Sequence, residues 1–292
     1  MRIIDAIVSR QEICRGWSAD RKYKALTAEG TAYFLRVSPA EQYERRRREF
    51  DHMRQVHALG VTMSDPVEFG CCDEGCYTLL RWVEGRDAEA VLPELTGEER
   101  RRYGLEAGRM LRAIHTLPAP EALEPWHIRW CRKANGKIAA YESCPLKYGK
   151  GELFLELIRT ERHLVEGRPT VWHHGDFHCG NLMFDDKMRL TVIDFDRDDA
   201  GDPWYEFNRI IWDVRVGGEF AGGMLDGYFG GEIPEKFWRI LRLYLCQNMI
   251  ASLPWAVGFG NEEIRTAVEN AEQVLRWYDD LKEVVPNWYC NE

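Results

Sequence analysis

The sequence predicts an α+β protein in two parts, a small antiparallel-sheet segment over residues 1–84 and a larger, mainly helical segment over residues 85–292. Three observations lead there. Residues before Gly85 hold strand-like runs separated by turn signals. After it, apolar residues recur at helical spacing. The exception is the stretch Val171–Arg197, VWHHGDFHCGNLMFDDKMRLTVIDFDR, where two short apolar runs frame a turn. At 292 residues with 45% apolar content, the chain is long enough for one large domain or two lobes, each with a core.

Taken in order, Glu12–Leu26 and Thr31–Val37 read as strands joined by the turn Thr27–Gly30. Pro39–Leu59 reads as a helix whose apolar side carries Met53, Val56 and Leu59. Its Arg45–Arg48 run reads as a solvated face, supported by Glu41–Arg45 and Glu44–Arg48 at i,i+4 spacing. Val67–Gly70 and Cys76–Leu80 form a second hairpin that runs into Arg81–Gly85, and Gly85 marks the boundary. A long helix over Glu98–His115 follows the cap-like Thr96, with Leu105, Met110, Leu111, Ile114 and His115 on its buried side. Asp202 and Pro203 carry a helix-start signature, and Trp238, Trp255 and Trp277 read as core.

The chemistry concentrates in the central stretch. Asn181–Phe184 and Leu190–Ile193 flank the turn-like Asp185–Lys187, which predicts a hairpin with a loop on each side. Asp176 and Asn181 then lie in the first loop, and Asp194 at the exit of the second strand. Oxygen-only ligands suit a hard cation such as Mg2+, held by one or two carboxylates plus substrate phosphates. A further carboxylate is left to orient a hydroxyl. An Asp, an Asn five residues later and an Asp on the metal is the division of labour in phosphoryl transfer by kinases.

The strings His174-Gly175-Asp176-Phe177-His178-Cys179-Gly180-Asn181 and Val192-Ile193-Asp194-Phe195-Asp196 resemble the aminoglycoside phosphotransferase family. The resemblance implies a bilobal protein-kinase-like fold with the hinge at the end of residues 1–84. It makes Asp176 the catalytic residue and Asn181 and Asp194 the Mg2+ ligands. It sets Gly16 and Ser18 in a loop over the phosphates of ATP or GTP. Arg36 takes the place of the usual phosphate-binding Lys, with Lys22 and Lys24 one strand away. Glu49 matches the helix Glu that orients that cation, with Glu44 as the fallback. Arg81, Trp82 and Val83 fall where the hinge holds the purine. His174 would orient the catalytic loop, and Glu121–His163 would be the insert that selects the acceptor. The expected acceptor is a hydroxyl of a small molecule. Relatives act on aminoglycosides, macrolides, choline and homoserine, so an antibiotic-resistance role is one expectation among several.

Composition sets the exclusions. The formal charge of −9 opposes nucleic-acid binding and is compatible with a cationic acceptor. No run is long and apolar enough for a membrane span. The charged start Met1–Asp5 does not read as a signal peptide, so a cytoplasmic protein with reduced thiols is expected. Cys71, Cys72 and Cys76 are the one cysteine cluster, short of a full metal site. Two other functions compete. One is a nucleotide-binding pseudokinase or regulatory module, motivated by Arg36. The other is a metal-dependent hydrolase using His173, His174, Asp176 and His178.

Overall fold

The structure of the chain, a computed structural model, describes residues 2–14, 20–119, 123–195 and 199–289. Gly16, Ser18, Asp196 and Asp198 lie outside the described residues. The described residues of Met1–Val91 and His174–Asp199 form one compact unit, and those of Leu92–His173 and Ala200–Glu292 form another.

The first unit contains five antiparallel strands, β1 (Ile7–Glu12), β2 (Arg21–Thr27), β3 (Ala32–Ser38), β4 (Pro66–Cys72) and β5 (Gly75–Arg81), ordered β1-β2-β3-β5-β4. The run expected as one strand over 12–26 is therefore two strands, the first beginning at Ile7. β1 gave no apolar alternation because nearly all its residues are exposed. The turn after β2 closes as expected. Gly30 takes a φ of 82°, and its N–H donates to the Thr27 carbonyl at 3.0 Å.

Side-chain alternation gives the sheet two different faces. Ala25, Tyr33, Leu35, Val37, Tyr77 and Leu79 pack with Ile4 into an apolar core. Lys22, Arg36 and Thr78 are direct cross-strand partners on β2, β3 and β5, so they share the opposite face. A helix, α1 (Tyr43–Ala58), packs on that side through Phe50, which stacks on Phe69 of β4 at 5.8 Å.

A second, three-stranded sheet joins the short β6 (Gly85–Asp87) to the hairpin Leu182–Asp185 and Leu190–Val192. Position 85, the first of β6, requires glycine, because a Cβ there would stand 2.0 Å from the Phe184 carbonyl oxygen. One turn of helix, α2 (Ala88–Val91), follows β6. The hairpin's turn is closed by the Asp185 carboxylate, which accepts the N–H groups of Lys187 and Arg189 at 2.9 and 2.8 Å. Val192 is fixed on both sides: its N–H donates to the Thr62 carbonyl at 2.9 Å, and its carbonyl accepts from Ser64 at 3.1 Å. The Ser64 hydroxyl donates to the Arg81 carbonyl at 2.7 Å, which ties the hairpin to the end of β5.

The second unit is helical: α3 (Gly97–Ile114), α4 (Trp126–Ser143), α5 (Gly151–Glu161), α6 (Ile210–Val216), α7 (Gly218–Phe229), α8 (Glu235–Val257) and α9 (Asn261–Trp277). Thr96 starts α3 with a capping box completed by Glu99. α3 and α7 meet backbone to backbone through Gly104 and Gly108 on one helix and Gly223 and Gly227 on the other. A Cβ at Gly108 would lie 2.0 Å from the Met224 carbonyl oxygen, and one at Gly227 2.2 Å from that of Leu105. Asp202 is wholly buried at the start of a 3-10 turn, Pro203–Arg209. Its carboxylate accepts two bonds from Arg168, at 2.8 and 2.7 Å, and one from the Tyr244 hydroxyl at 2.7 Å. Trp238 and Trp277 are core as expected. Trp255 is not, being 47% exposed, because Leu253 and Ala256 take the buried side of the last turn of α8. No described helix is long and apolar enough to cross a membrane.

Candidate functional site

The loop before the hairpin is held by alternate burial. Phe177 and Cys179 are buried, so Asp176 and His178 beside them keep partial access to solvent. Gly175 makes the turn with a φ of 91°. His174 is buried and has both ring nitrogens engaged. Nδ1 accepts the Asp176 N–H at 3.3 Å, so the proton sits on Nε2, which donates to the Ile193 carbonyl at 2.9 Å. One imidazole thereby fixes the distance between Asp176 and the residue before Asp194. Asn181 adds a second fastening: its amide nitrogen donates to the Asp176 carbonyl at 2.8 Å, and its own carbonyl accepts from the Ile193 N–H at 3.0 Å. Since the amide nitrogen is spent on the loop, the side-chain oxygen of Asn181 is the atom left for a cation.

Asp194 takes a φ of 64°, a left-handed conformation that a non-glycine residue holds only where its surroundings enforce it. Phe195 supplies the anchor, packing its ring 4.4 Å from that of His174 and 6.2 Å from that of His52. The Asp194 side chain is 35% exposed, and Arg36 donates to its Oδ1 at 3.1 Å. An amide oxygen and a partly exposed carboxylate, the latter already paired with a cation, are hard donors that fit Mg2+.

Arg36 is only 3% exposed, so it is a buried cation of the sheet rather than a solvated one. Glu49, equally buried, lies 4.0 Å from it. The nearer partners of Glu49 are Arg46 at 2.5 Å and Arg45 at 2.9 Å. Burial pushes the Glu49 carboxyl up, and the adjacent guanidinium of Arg46 opposes this most strongly. The expected solvated face over Arg45–Arg48 is thus corrected at Arg46, which is 4% exposed and also binds Asp20. The signal was present in the sequence. The stripe Phe50, Met53, Val56 extends back at helical spacing onto Arg46 and Glu49.

At the end of β5, the Arg81 N–H donates to the Asp65 carbonyl at 2.8 Å and the Trp82 N–H to that of Ala32 at 3.2 Å. Val83 keeps its N–H and carbonyl without a partner among the described residues. Lys24 is engaged elsewhere, with Glu84 at 2.6 Å and over the Trp82 ring. Lys22 remains beside Arg36.

His178, named in the sequence only for the hydrolase alternative, has its Nε2 3.9 Å from an Asp176 carboxylate oxygen. Glu206 is buried, 3.7 Å from His115 Nε2. His115 is in the core, as expected. The hydrolase reading fails on geometry. His173 Nε2 is bonded to the Asp202 carbonyl at 3.0 Å, and His174 is consumed by its loop. Among the described residues no group of three His, Cys, Asp or Glu is arranged to hold a metal, the Cys71, Cys72 and Cys76 cluster included.

The fold is similar to that of spectinomycin phosphotransferase APH(9)-Ia in complex with ADP and spectinomycin, at TM-score 0.65 and 15% identity, over 92% of this chain and 93% of that one. It is similar to a choline/ethanolamine kinase family protein from Mesorhizobium loti, at TM-score 0.66 and 15% identity, over 94% and 91%. Amicoumacin kinase hAmiN, in complex with AMP-PNP, Ca2+ and its antibiotic, matches at TM-score 0.63 and 15% identity, over 97% and 93%. No curated protein matches the sequence. The fold is therefore the kinase-like one shared by these phosphotransferases. The phosphotransferase enzyme family APH matches residues 9–240, and the chain belongs to that family. Membership makes it a small-molecule phosphotransferase.

Proposed function

We propose that the chain moves the γ-phosphoryl group of ATP or GTP to a hydroxyl of a small, cationic molecule, in a reaction that requires Mg2+. The carrying observation is the convergence of Asp176, Asn181 and Asp194 through the bonds of His174 and Asn181. Asp176 accepts the hydroxyl proton and holds the oxygen in line with the phosphorus. Asn181 and Asp194 hold the metal. Mg2+, held there, would supply positive charge to offset the negative charge that develops on transfer. Arg36 takes phosphate oxygens, and Lys22, its cross-strand partner, is placed to join it. The purine is held at the open main-chain pair of Val83. A net charge of −9 supports a cationic acceptor, and aminoglycoside-like antibiotics and amino alcohols are the first classes to try.

The test is Mg2+-dependent release of nucleoside diphosphate from ATP and GTP against a panel of aminoglycosides, macrolides and amino alcohols, with Asp176→Asn as the blank. Acceptor-stimulated release that the blank loses supports transfer and names the acceptor class. Equal release by the blank sinks the assignment of Asp176. Nucleotide binding without stimulation by any acceptor favours the pseudokinase alternative.

A further inference from the structure

Five charged side chains alternate in sign through the first unit: Asp20, Arg46, Glu49, Arg36 and Asp194. Arg46 binds Asp20 with one arm and Glu49 with the other at 2.5 Å. Arg36 stands 4.0 Å from Glu49 and 3.1 Å from Asp194. All but Asp194 are buried. The carboxylate that would pair with the β3 cation is thus already taken by a second arginine, and Arg36 turns toward the metal-binding carboxylate instead. Arg36 also keeps its Nε buried with no hydrogen-bond partner among the described residues, a donor available to an arriving acceptor.

We propose that Arg46 is a positioning residue: by occupying Glu49, it frees the Arg36 guanidinium to hold Asp194 while the protein is empty and to pass to the phosphates when nucleotide and metal arrive together. This rests on the reading of Asn181 and Asp194 as metal ligands. The physical reason is that an ionised carboxylate this deeply buried is costly without a neighbouring cation. Half-exposed Arg45 holds Glu49 Oε1 at 2.9 Å, but Oε2 faces Arg46 and, at 4.0 Å, Arg36; without Arg46 the nearest cation to Oε2 is Arg36, which would leave Asp194 to close that gap. Arg36 on Asp194 also competes with free metal for the same oxygens. Metal alone should therefore bind weakly, and a triphosphate should relieve the competition by drawing the guanidinium away.

The experiment measures Mn2+ binding to the nucleotide-free protein by the signal of the free ion in electron paramagnetic resonance, alongside ATP binding by calorimetry. The proteins are wild type, Arg46→Met, Arg46→Lys, Arg36→Met and Glu49→Gln, with Asp194→Ala defining the background. Arg36→Met and Arg46→Met are expected to tighten Mn2+ by about threefold or more, the scale of a partly exposed ion pair. Arg46→Met is expected to weaken ATP at the same time, and Arg46→Lys to return both affinities toward wild type. Glu49→Gln carries the opposite expectation, weaker Mn2+, because Arg36 then has Asp194 alone; it serves as the test should Arg46→Met not fold. A purely structural Arg46 would loosen the site and weaken both ligands. Mn2+ affinity unchanged or weaker in Arg46→Met, or unchanged in Glu49→Gln, overturns the proposal. Absence of Asp194-dependent Mn2+ binding in wild type, with ATP or without it, overturns the metal-site reading and the proposal together.

Discussion

His174 and Ile193, 19 positions apart, are joined by an imidazole N–H to carbonyl hydrogen bond of 2.9 Å. The same ring holds the Asp176 N–H, so it is the part that spaces the two carboxylates. His174→Ala is expected to cost about 1–3 kcal/mol of stability through the orphaned buried groups. It should also cost roughly 100-fold in turnover, since small misplacements of reacting groups carry that penalty. Urea unfolding and steady-state kinetics check both. A variant as active as wild type would show that the bond does not set the site's spacing.

Asp176→Asn keeps the shape of the side chain and removes its capacity to take a proton. The expected loss in kcat is about 10²–10⁴-fold, the usual size of general-base catalysis. ATP affinity should stay within about twofold, because no phosphate contact is assigned to Asp176. Calorimetry and single-turnover assays separate the two, and a large loss of ATP binding would contradict this division of roles.

Two glycine substitutions are expected to differ in sign. Gly108→Ala forces a methyl against the Met224 carbonyl in the α3–α7 contact and should destabilise by about 1–3 kcal/mol, as overpacking does. Gly136→Ala, on the exposed side of α4 with nothing within 4 Å of its Cβ position, should stabilise by about 0.5–1 kcal/mol through helix propensity. Matched chemical denaturation of the two variants is sufficient. Equal effects would mean that the helix pair relaxes to admit the methyl.

Burial holds the His115 pKa below the ordinary histidine value of about 6.5, against the pull of the nearby Glu206 carboxylate. The other groups facing the ring are Tyr228, His173 and Asp202. Below about pH 6.5 the unfolded chain takes up a proton that the folded chain resists. The stability contributed by neutral His115 is therefore complete above that pH and is lost as pH falls through the folded pKa. Unfolding free energies between about pH 5 and 8 should fall less steeply in His115→Gln than in wild type. Parallel curves would remove His115 from the account.

What could be read in the sequence was short-range. The five-residue step from Asp176 to Asn181 works because the bond from the Asn181 amide to the Asp176 carbonyl closes within that loop. The hairpin turn at Asp185 and the Thr96 cap are equally local. The ion pair of Arg36 with Asp194 spans 158 positions, and no spacing rule reports it. Arg46 was hidden among four consecutive arginines, where charge density reads as solvent exposure and only helical phase separates the buried one. β1 lacked a pattern because it has little to bury. Trp255 misled in the opposite direction, since ring size speaks for burial while Leu253 and Ala256 hold the buried side of the last turn of α8.

Where α3 crosses α7, spacing is set by main-chain atoms, which have no rotamers. Most helix pairs can widen or narrow as the residues between them change size or conformation. This pair has no such adjustable layer at Gly104, Gly108, Gly223 and Gly227. The crossing acts as a fixed datum in the helical unit. Changes of volume elsewhere in its core must be absorbed by other helices, and drift at any of these four positions is checked by a carbonyl on the opposite helix.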